Sequence, residues 1–196
     1  MQIKPLTLEG KYVRLAPLKL SHLPELYEAA SDESLWLWTT NVIENREDAL
    51  RYIETALGEF ERKVALPFVT IEKSSGRIIG STRFGNLDAG HRKAEIGWTW
   101  INPKRQRTNI NTEAKLLMLT HAFETWKCVR VELKTDVLNE KSRKAISRLG
   151  AKEEGVLRQH LITDAGRFRD TVYFSIIDSE WQMMKVDLLE KLRSFE

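Results

Sequence analysis

Short runs of alternating apolar and polar residues interleave along this chain with longer runs in which apolar residues recur every three or four positions. The first kind reads as half-buried strand and the second as amphipathic helix. Residues 11–17 alternate and stop at Pro17, which predicts a first strand. Ser21 then offers an N-cap to a short helix carrying Leu23, Leu26, Tyr27 and Ala30. A second helix begins at Asn45 or Arg46, spaces Ala49, Leu50, Ile53, Leu57 and Phe60 along one side, and ends near Lys63. Residues 67–72 and 77–84 are strand-like, and the turn-rich 73–76 between them predicts a hairpin. Gly90, His91 and Arg92 lead into a further strand, 94–101, so three successive antiparallel strands are expected.

A long helix starting near Asn111 sets Ala114, Leu117, Met118, Ala122 and Trp126 on one side, with Leu119 and Phe123 widening the stripe. Residues 129–135 alternate again. Strand, helix and strand in this order make a βαβ crossover, whose two strands pair in parallel. Asn139 opens a shorter helix with Ser142, Ala145, Ile146 and Leu149, closed by Gly150. Residues 156–161 and 168–176 form a last hairpin with Asp164, Ala165 and Gly166 at its tip. Ser179 and Gln182 read as the capping box of a C-terminal helix over 179–196 bearing Trp181, Met184, Leu188, Leu189 and Leu192. No repeat or linker divides the chain, so residues 1–196 are expected to form one α+β domain: a mixed, mostly antiparallel central sheet flanked by helices, with one parallel pair at the crossover.

Composition narrows the function classes. Lys and Arg total 31 against 28 Asp and Glu, and the resulting net charge of +3 is spread along the chain. A nucleic-acid footprint needs basic residues clustered on one face, so nucleic acid is not the expected partner. The single cysteine, Cys128, excludes an internal disulfide and suits a reducing cytosol, where a buried inert thiol is expected. Neither a membrane span nor a signal-peptide core stands out, which points to the cytoplasm. His22, His91, His121 and His160 lack metal-ligand spacing, so no metal site is expected.

The chemistry concentrates in residues 94–126. There a strand runs into a turn containing Lys104, Arg105 and Arg107, and the turn feeds a helix. Free backbone N–H groups and the helix dipole make such an entrance a place to hold phosphate, although a basic turn can also be merely solvated. Strict alternation puts Glu95, Gly97 and Thr99 on one face of the strand and Ala94, Ile96, Trp98 and Trp100 on the other. A carboxylate at Glu95 can take a proton from an ammonium, while Gly97 beside it would let a ligand approach the backbone; alternatively Glu95 is a salt-bridged strand residue. Trp36 and Trp38, in a polar segment, either cover core or line the mouth of a site.

Residues 109–115 after the basic turn, the Asn139-x-x-Ser142 helix ending in Leu149-Gly150, and the strand Ala94-Glu95-Ile96-Gly97 together resemble the GCN5-related N-acetyltransferases, most closely the RimJ/RimL type. The resemblance spans nearly the whole chain. It implies an acetyl-CoA-dependent N-acetyltransferase that passes the acetyl group directly to a primary amine. The acceptor would be a protein N-terminus or a small molecule, and homodimerisation stays open. In the family a Gln/Arg-x-x-Gly-x-Gly/Ala loop cradles the CoA pyrophosphate. The corresponding residues here are Gln106, Arg107, Thr108, Asn109, Ile110 and Asn111, followed by Thr112, with asparagine in both glycine places. Asn109 is then expected to take a left-handed backbone and Asn111 to cap the helix. The resemblance further implies Glu95 as general base, Asn139 on the pantetheine arm or an ordered water, and Ser142 hydrogen-bonding the departing sulfur. Many relatives have a tyrosine where this chain has Ile146. Two other readings remain: a non-catalytic acyl-CoA-binding regulatory module of the same fold, and a partner protein that associates through its last helix.

Overall fold

The computed structural model describes residues 1–194. Eight strands form one sheet in the order β1-β2-β3-β4-β5-β6-β8-β7, with β1 Leu8–Glu9, β2 Val13–Pro17, β3 Leu66–Glu72, β4 Ile78–Asp88, β5 Lys93–Ile101, β6 Arg130–Asp136, β7 Lys152–Ile162 and β8 Phe168–Ile177. Every neighbouring pair is antiparallel except β5 and β6, as the crossover requires. Five α-helices flank the sheet: α1 Leu23–Ala29, α2 Arg46–Glu61, α3 Asn109–Thr120, α4 Glu140–Arg148 and α5 Asp178–Arg193. The C-terminal helix expected over 179–196 is therefore found to Arg193, and residues 195 and 196 lie outside the described residues.

The sheet separates two apolar cores. One gathers the apolar faces of α3 and α5 against Val13, Phe68, Phe84, Ala94, Ile96, Val131 and Phe174. The other packs α1 and α2 against Val69, Ile71, Ile78 and Trp100. Trp181, Met184, Leu188 and Leu192 of α5 are buried in the first core, so the apolar stripe of the last helix is used internally.

Several helix starts differ from the sequence reading. The α3 N-cap is Thr108, whose hydroxyl accepts the Ile110 N–H, so Asn111 lies inside the first turn and does not cap. After Thr120 the helix widens into a π-helical segment, His121–Thr125, before ending at Trp126. Ser21 lies within a 3₁₀ turn, Leu20–His22, and α1 begins from His22 with Pro24 in its first turn. The α5 capping box uses Glu180, which accepts the Ile177 N–H at 3.2 Å, rather than the Ser179 and Gln182 pair.

Two irregularities shape the middle of the sheet. Ser81 pairs with Trp100 but Arg83 with Gly97, so β5 carries an extra residue; Trp98, at φ 50°, is the left-handed position. The bulge reverses the alternation beyond it. Ala94, Ile96 and Ile101 join the α3 core and Thr99 faces Lys115 of α3, whereas Trp100 sits in the α2 core. Thr99 is thus on the opposite face from the one strict alternation assigns, and Trp98 lies on the Glu95 side. Gly85 opposite makes this possible, because a Cβ there would stand 2.3 Å from Cζ3 of Trp98. A second bulge in β4, between Gly85 and Asp88, places Asn86 at φ 46° and aims its amide at Glu95.

Candidate active site

The parallel ladder is short. β5 and β6 pair only over Lys93–Arg130, Ala94–Val131 and Glu95–Glu132. Beyond these pairs β6 stays bonded to β8 through Asp136, while β5 follows its bulge along β4 to Ile101. The sheet therefore opens between two adjacent strands. A cavity of about 420 Å³ lies there, walled by Gly97, Trp98, Thr99 and Trp100 of β5 on one side and Lys134 and Thr135 of β6 on the other.

Glu95 sits at the vertex of this opening. Its Oε2 accepts the Asn86 amide at 2.6 Å and pairs with the Lys134 ammonium at 2.7 Å. Its Oε1 has no hydrogen-bond partner among the described residues. It lies where a Cβ on residue 97 would approach to 3.0 Å, so Gly97 makes room for the carboxylate itself. Lys134 also lies over the Tyr173 ring at 4.7 Å. Burial opposes the Lys134 charge, but Glu95 and the Tyr173 hydroxyl more than offset it and raise its pKa. The salt-bridge reading of Glu95 and the cavity reading therefore both describe the same side chain.

The α4 helix supplies the far wall. Asn139 caps it, with Oδ1 accepting the Ser142 N–H at 3.0 Å, which leaves its Nδ2 donors available. Asn139 and Ser142 both line the cavity with Glu95. Ile146, where many relatives have tyrosine, is buried in the core. Trp36 serves both purposes weighed for it: it is buried edge-on to Trp100 at 5.4 Å, and with half-exposed Trp38 it lines the cavity.

The basic turn stands apart from the cavity lining, at the end of β5 that Thr99 and Trp100 lead into. It folds as a 3₁₀ turn, Pro103–Arg105, and then enters α3. Arg107, at φ 60°, is the left-handed residue, and Asn109 is already helical. The glycine-like conformation thus falls two residues before the expected one. Residues 109–112 form the first turn of α3, where N–H groups lack intrahelical partners. The Asn111 Oδ1 is enclosed yet unpartnered. An open helix entrance, an orphaned amide oxygen and exposed Arg105 and Arg107 suit a phosphate-bearing ligand with hydrogen-bond donors.

Unsatisfied polar atoms also mark the cavity. Among the described residues six enclosed side-chain atoms lack a hydrogen-bond partner, and four of them belong to cavity-lining residues: Trp100 Nε1, His160 Nδ1, Arg169 Nε, which has only a 4.0 Å ion pair with Asp136, and Thr171 Oγ1. Buried polar groups are normally paired, so this clustering fits a polar occupant. Desolvation and then the charges of Lys134 and Arg169 lower the His160 pKa, which favours neutral imidazole. None of these four was singled out from the sequence as a site residue. His160 lies in an interrupted part of β7, between Leu157 and Leu161, where Gln159 has φ 47° and alternation no longer indicates the face. No group of potential metal ligands occurs among the described residues.

Similarity to known proteins identifies the family. Residues 13–152 match the family model described as an acetyltransferase (GNAT) domain. The chain is 37% identical over 142 residues to the putative ribosomal N-acetyltransferase YdaF of Bacillus subtilis, covering 71% of this chain and 76% of that protein. A GCN5-related N-acetyltransferase from Brucella melitensis superposes with a TM-score of 0.89 at 31% identity, over 96% of this chain and 86% of that one. Mycobacterium smegmatis RimJ, solved in complex with CoA-disulfide, shares the fold at a TM-score of 0.79 and 24% identity, over 96% and 93% of the two chains. An opened β5–β6 edge, a helix entrance at the end of β5 and a match over most of the chain lead to one assignment: the chain belongs to the GNAT acetyltransferases.

Proposed function

We propose that this protein transfers an acetyl group from acetyl-CoA to the α-amine of a polypeptide N-terminus, with Glu95 as the proton acceptor. The observation that carries the proposal is the convergence of Glu95, Asn139 and Ser142 on one cavity at the opened sheet edge. When bound, acetyl-CoA supplies an activated acyl carbon and a thiolate leaving group. Gln106, Arg107, Thr108, Asn109, Ile110, Asn111 and Thr112 hold its phosphates through backbone N–H groups and basic charge. Asn139 donates from Nδ2 to the pantetheine arm.

The chain's own proton chemistry follows from the contacts. Lys134 and Asn86 anchor one oxygen of Glu95, which fixes the carboxylate and leaves Oε1 to take a proton from the acceptor ammonium. Loss of that proton frees the nitrogen lone pair to form the new C–N bond as the C–S bond breaks. The Ser142 hydroxyl donates a hydrogen bond to the sulfur as charge develops there. No acyl-enzyme is required. We place the reaction in the cytoplasm, where buried Cys128 stays a thiol; desolvation raises its pKa to about 11.

The similarity to YdaF supports a polypeptide acceptor over a small amine. The test is release of free CoA on mixing with acetyl-CoA and a panel of peptides, free amino acids, polyamines and aminoglycosides. Peptide-dependent release should fall about 100-fold or more in Glu95→Gln, with acetyl-CoA binding retained. Binding of CoA without release by any amine would favour the regulatory-module reading, and release only by small amines would replace the polypeptide acceptor.

A further inference from the structure

A second, larger cavity of about 840 Å³ adjoins the first and shares Asn41, Tyr52 and Trp98 with it as walls. It lies between the segment leading into α2, the side of α2, and Asp164 and Ala165 at the tip of the β7–β8 hairpin. Six charged residues line it: Glu44, Asp48, Glu59, Asp164, Arg51 and Arg83. Asp48 accepts the Glu44 and Asn45 N–H groups and pairs with Arg51. Glu59 pairs with Arg83 at 2.7 Å. Two charges are left, and both are negative. Glu44 is exposed and has no cationic partner among the described residues; Asp164 accepts the Val42 N–H through Oδ2 at 3.3 Å but meets no cation.

An independent feature points to an occupant. Arg83 is only 2% exposed, with its guanidinium 5.1 Å from the Tyr52 ring centroid and 5.0 Å from that of Trp98. Its Nε is enclosed and has no hydrogen-bond partner. That donor calls for an acceptor oxygen. A free anion would meet the two unneutralised carboxylates, whereas an uncharged peptide carbonyl satisfies the arginine without that repulsion.

We infer that this cavity selects acceptor polypeptides carrying Lys or Arg within the first few residues after the acetylated one. The inference rests on the polypeptide-acceptor reading above. An extended chain advances about 3.3 Å per residue. With the α-amine at Glu95, the following residues pass Trp98 into the second cavity, a backbone carbonyl faces Arg83, and a cationic side chain reaches toward Glu44 and Asp164. Partly screened charges of this kind discriminate mainly through capture, so kcat/KM carries the effect.

The experiment compares three peptides identical except at the three residues after the first, Ala-Lys-Lys-Lys, Ala-Ala-Ala-Ala and Ala-Glu-Glu-Glu, with wild-type protein and with the double variant Glu44→Gln/Asp164→Asn. Asn at 164 keeps an acceptor for the Val42 N–H, and residue 44 is on the surface, so both changes leave the fold intact. In wild type, kcat/KM should fall in the order Lys, Ala, Glu, spanning about tenfold, and the span should shrink in 0.5 M salt. In the double variant the Lys-to-Glu ratio should collapse to within about twofold. If all three peptides are acetylated at similar wild-type rates, or the preference survives intact in the double variant, the inference is wrong while the acceptor class stands. If no peptide is acetylated, both readings fall.

Discussion

Lys115 of α3 tests the energetics of the sheet–helix interface. The residue is 5% exposed, and among the described residues its ammonium is met only by hydroxyls: Thr99 Oγ1 at 2.6 Å and Thr82 Oγ1 at 3.3 Å. Burial without a counter-ion brings its pKa from 10.5 down to about 7. Between those values the unfolded chain holds the proton and the folded chain does not, so this group makes stability rise with pH across the window. Its burial penalty is absent above pH 10.5, grows as pH falls, and levels off below pH 7. At about 1.4 kcal/mol per pH unit, the penalty at pH 7 is on the order of 4 kcal/mol. Lys115→Met removes it and forfeits two hydrogen bonds of about 1 kcal/mol each, while Thr82 and Thr99 keep their mutual contact at 2.7 Å. The variant should therefore be about 2 kcal/mol more stable at pH 7, and the advantage should vanish by about pH 9. Urea unfolding of both proteins at pH 7, 8 and 9 measures this. Cys128, which resists ionisation when folded, titrates in both proteins and cancels in the difference. A gap that stays constant over these pH values, or a less stable variant at pH 7, would refute the buried-amine argument.

Other perturbations separate binding, chemistry and scaffolding. Arg107→Glu should raise KM for acetyl-CoA about tenfold and leave kcat nearly unchanged, as measured by initial rates; an unaltered KM would show a merely solvated turn. Ser142→Ala should lower kcat by roughly 10-fold or more with little change in acetyl-CoA binding by calorimetry if the proposed hydrogen bond forms as the sulfur leaves. Glu113→Gln should cost about 2–4 kcal/mol by thermal or urea unfolding. The Glu113 carboxylate accepts the Lys11, Tyr12 and Val13 N–H groups at 2.7–2.8 Å, and an amide turns an N–H toward at least one of those donors.

Elements with long, regular patterns were legible before any coordinates. The apolar spacing after Asn45 locates α2, and Asn139 caps α4 as its sequence implies. The strand–helix–strand order implies the single parallel pair. Both depend on local geometry: a cap bonds three residues ahead, and a helical stripe needs only its own spacing.

The site divides along the same line. Glu95, Asn139 and Ser142 could be picked out because carboxylate, amide and hydroxyl stand at recognisable places in the chain order, and the resemblance attached roles to them. Lys134, His160, Arg169 and Tyr173 could not, because they reach the cavity from β6, β7 and β8 through pairings that no local pattern contains. The left-handed residue of the turn was misplaced for a related reason. Asparagine tolerates that conformation, but the cap at Thr108 begins the helix early and passes the requirement to Arg107.

By itself, then, the amino-acid sequence determined the order of elements, their apolar faces and the candidate chemistry along β5, α3 and α4, since each of these is written in spacing along one segment. Only the tertiary structure decided which way that chemistry points. The extra residue at Trp98 reverses the faces of β5, and it is accommodated because Gly85 on the neighbouring strand leaves space for the indole. A bulge is a property of two paired strands, and its consequences appear in the alternation of neither strand read alone.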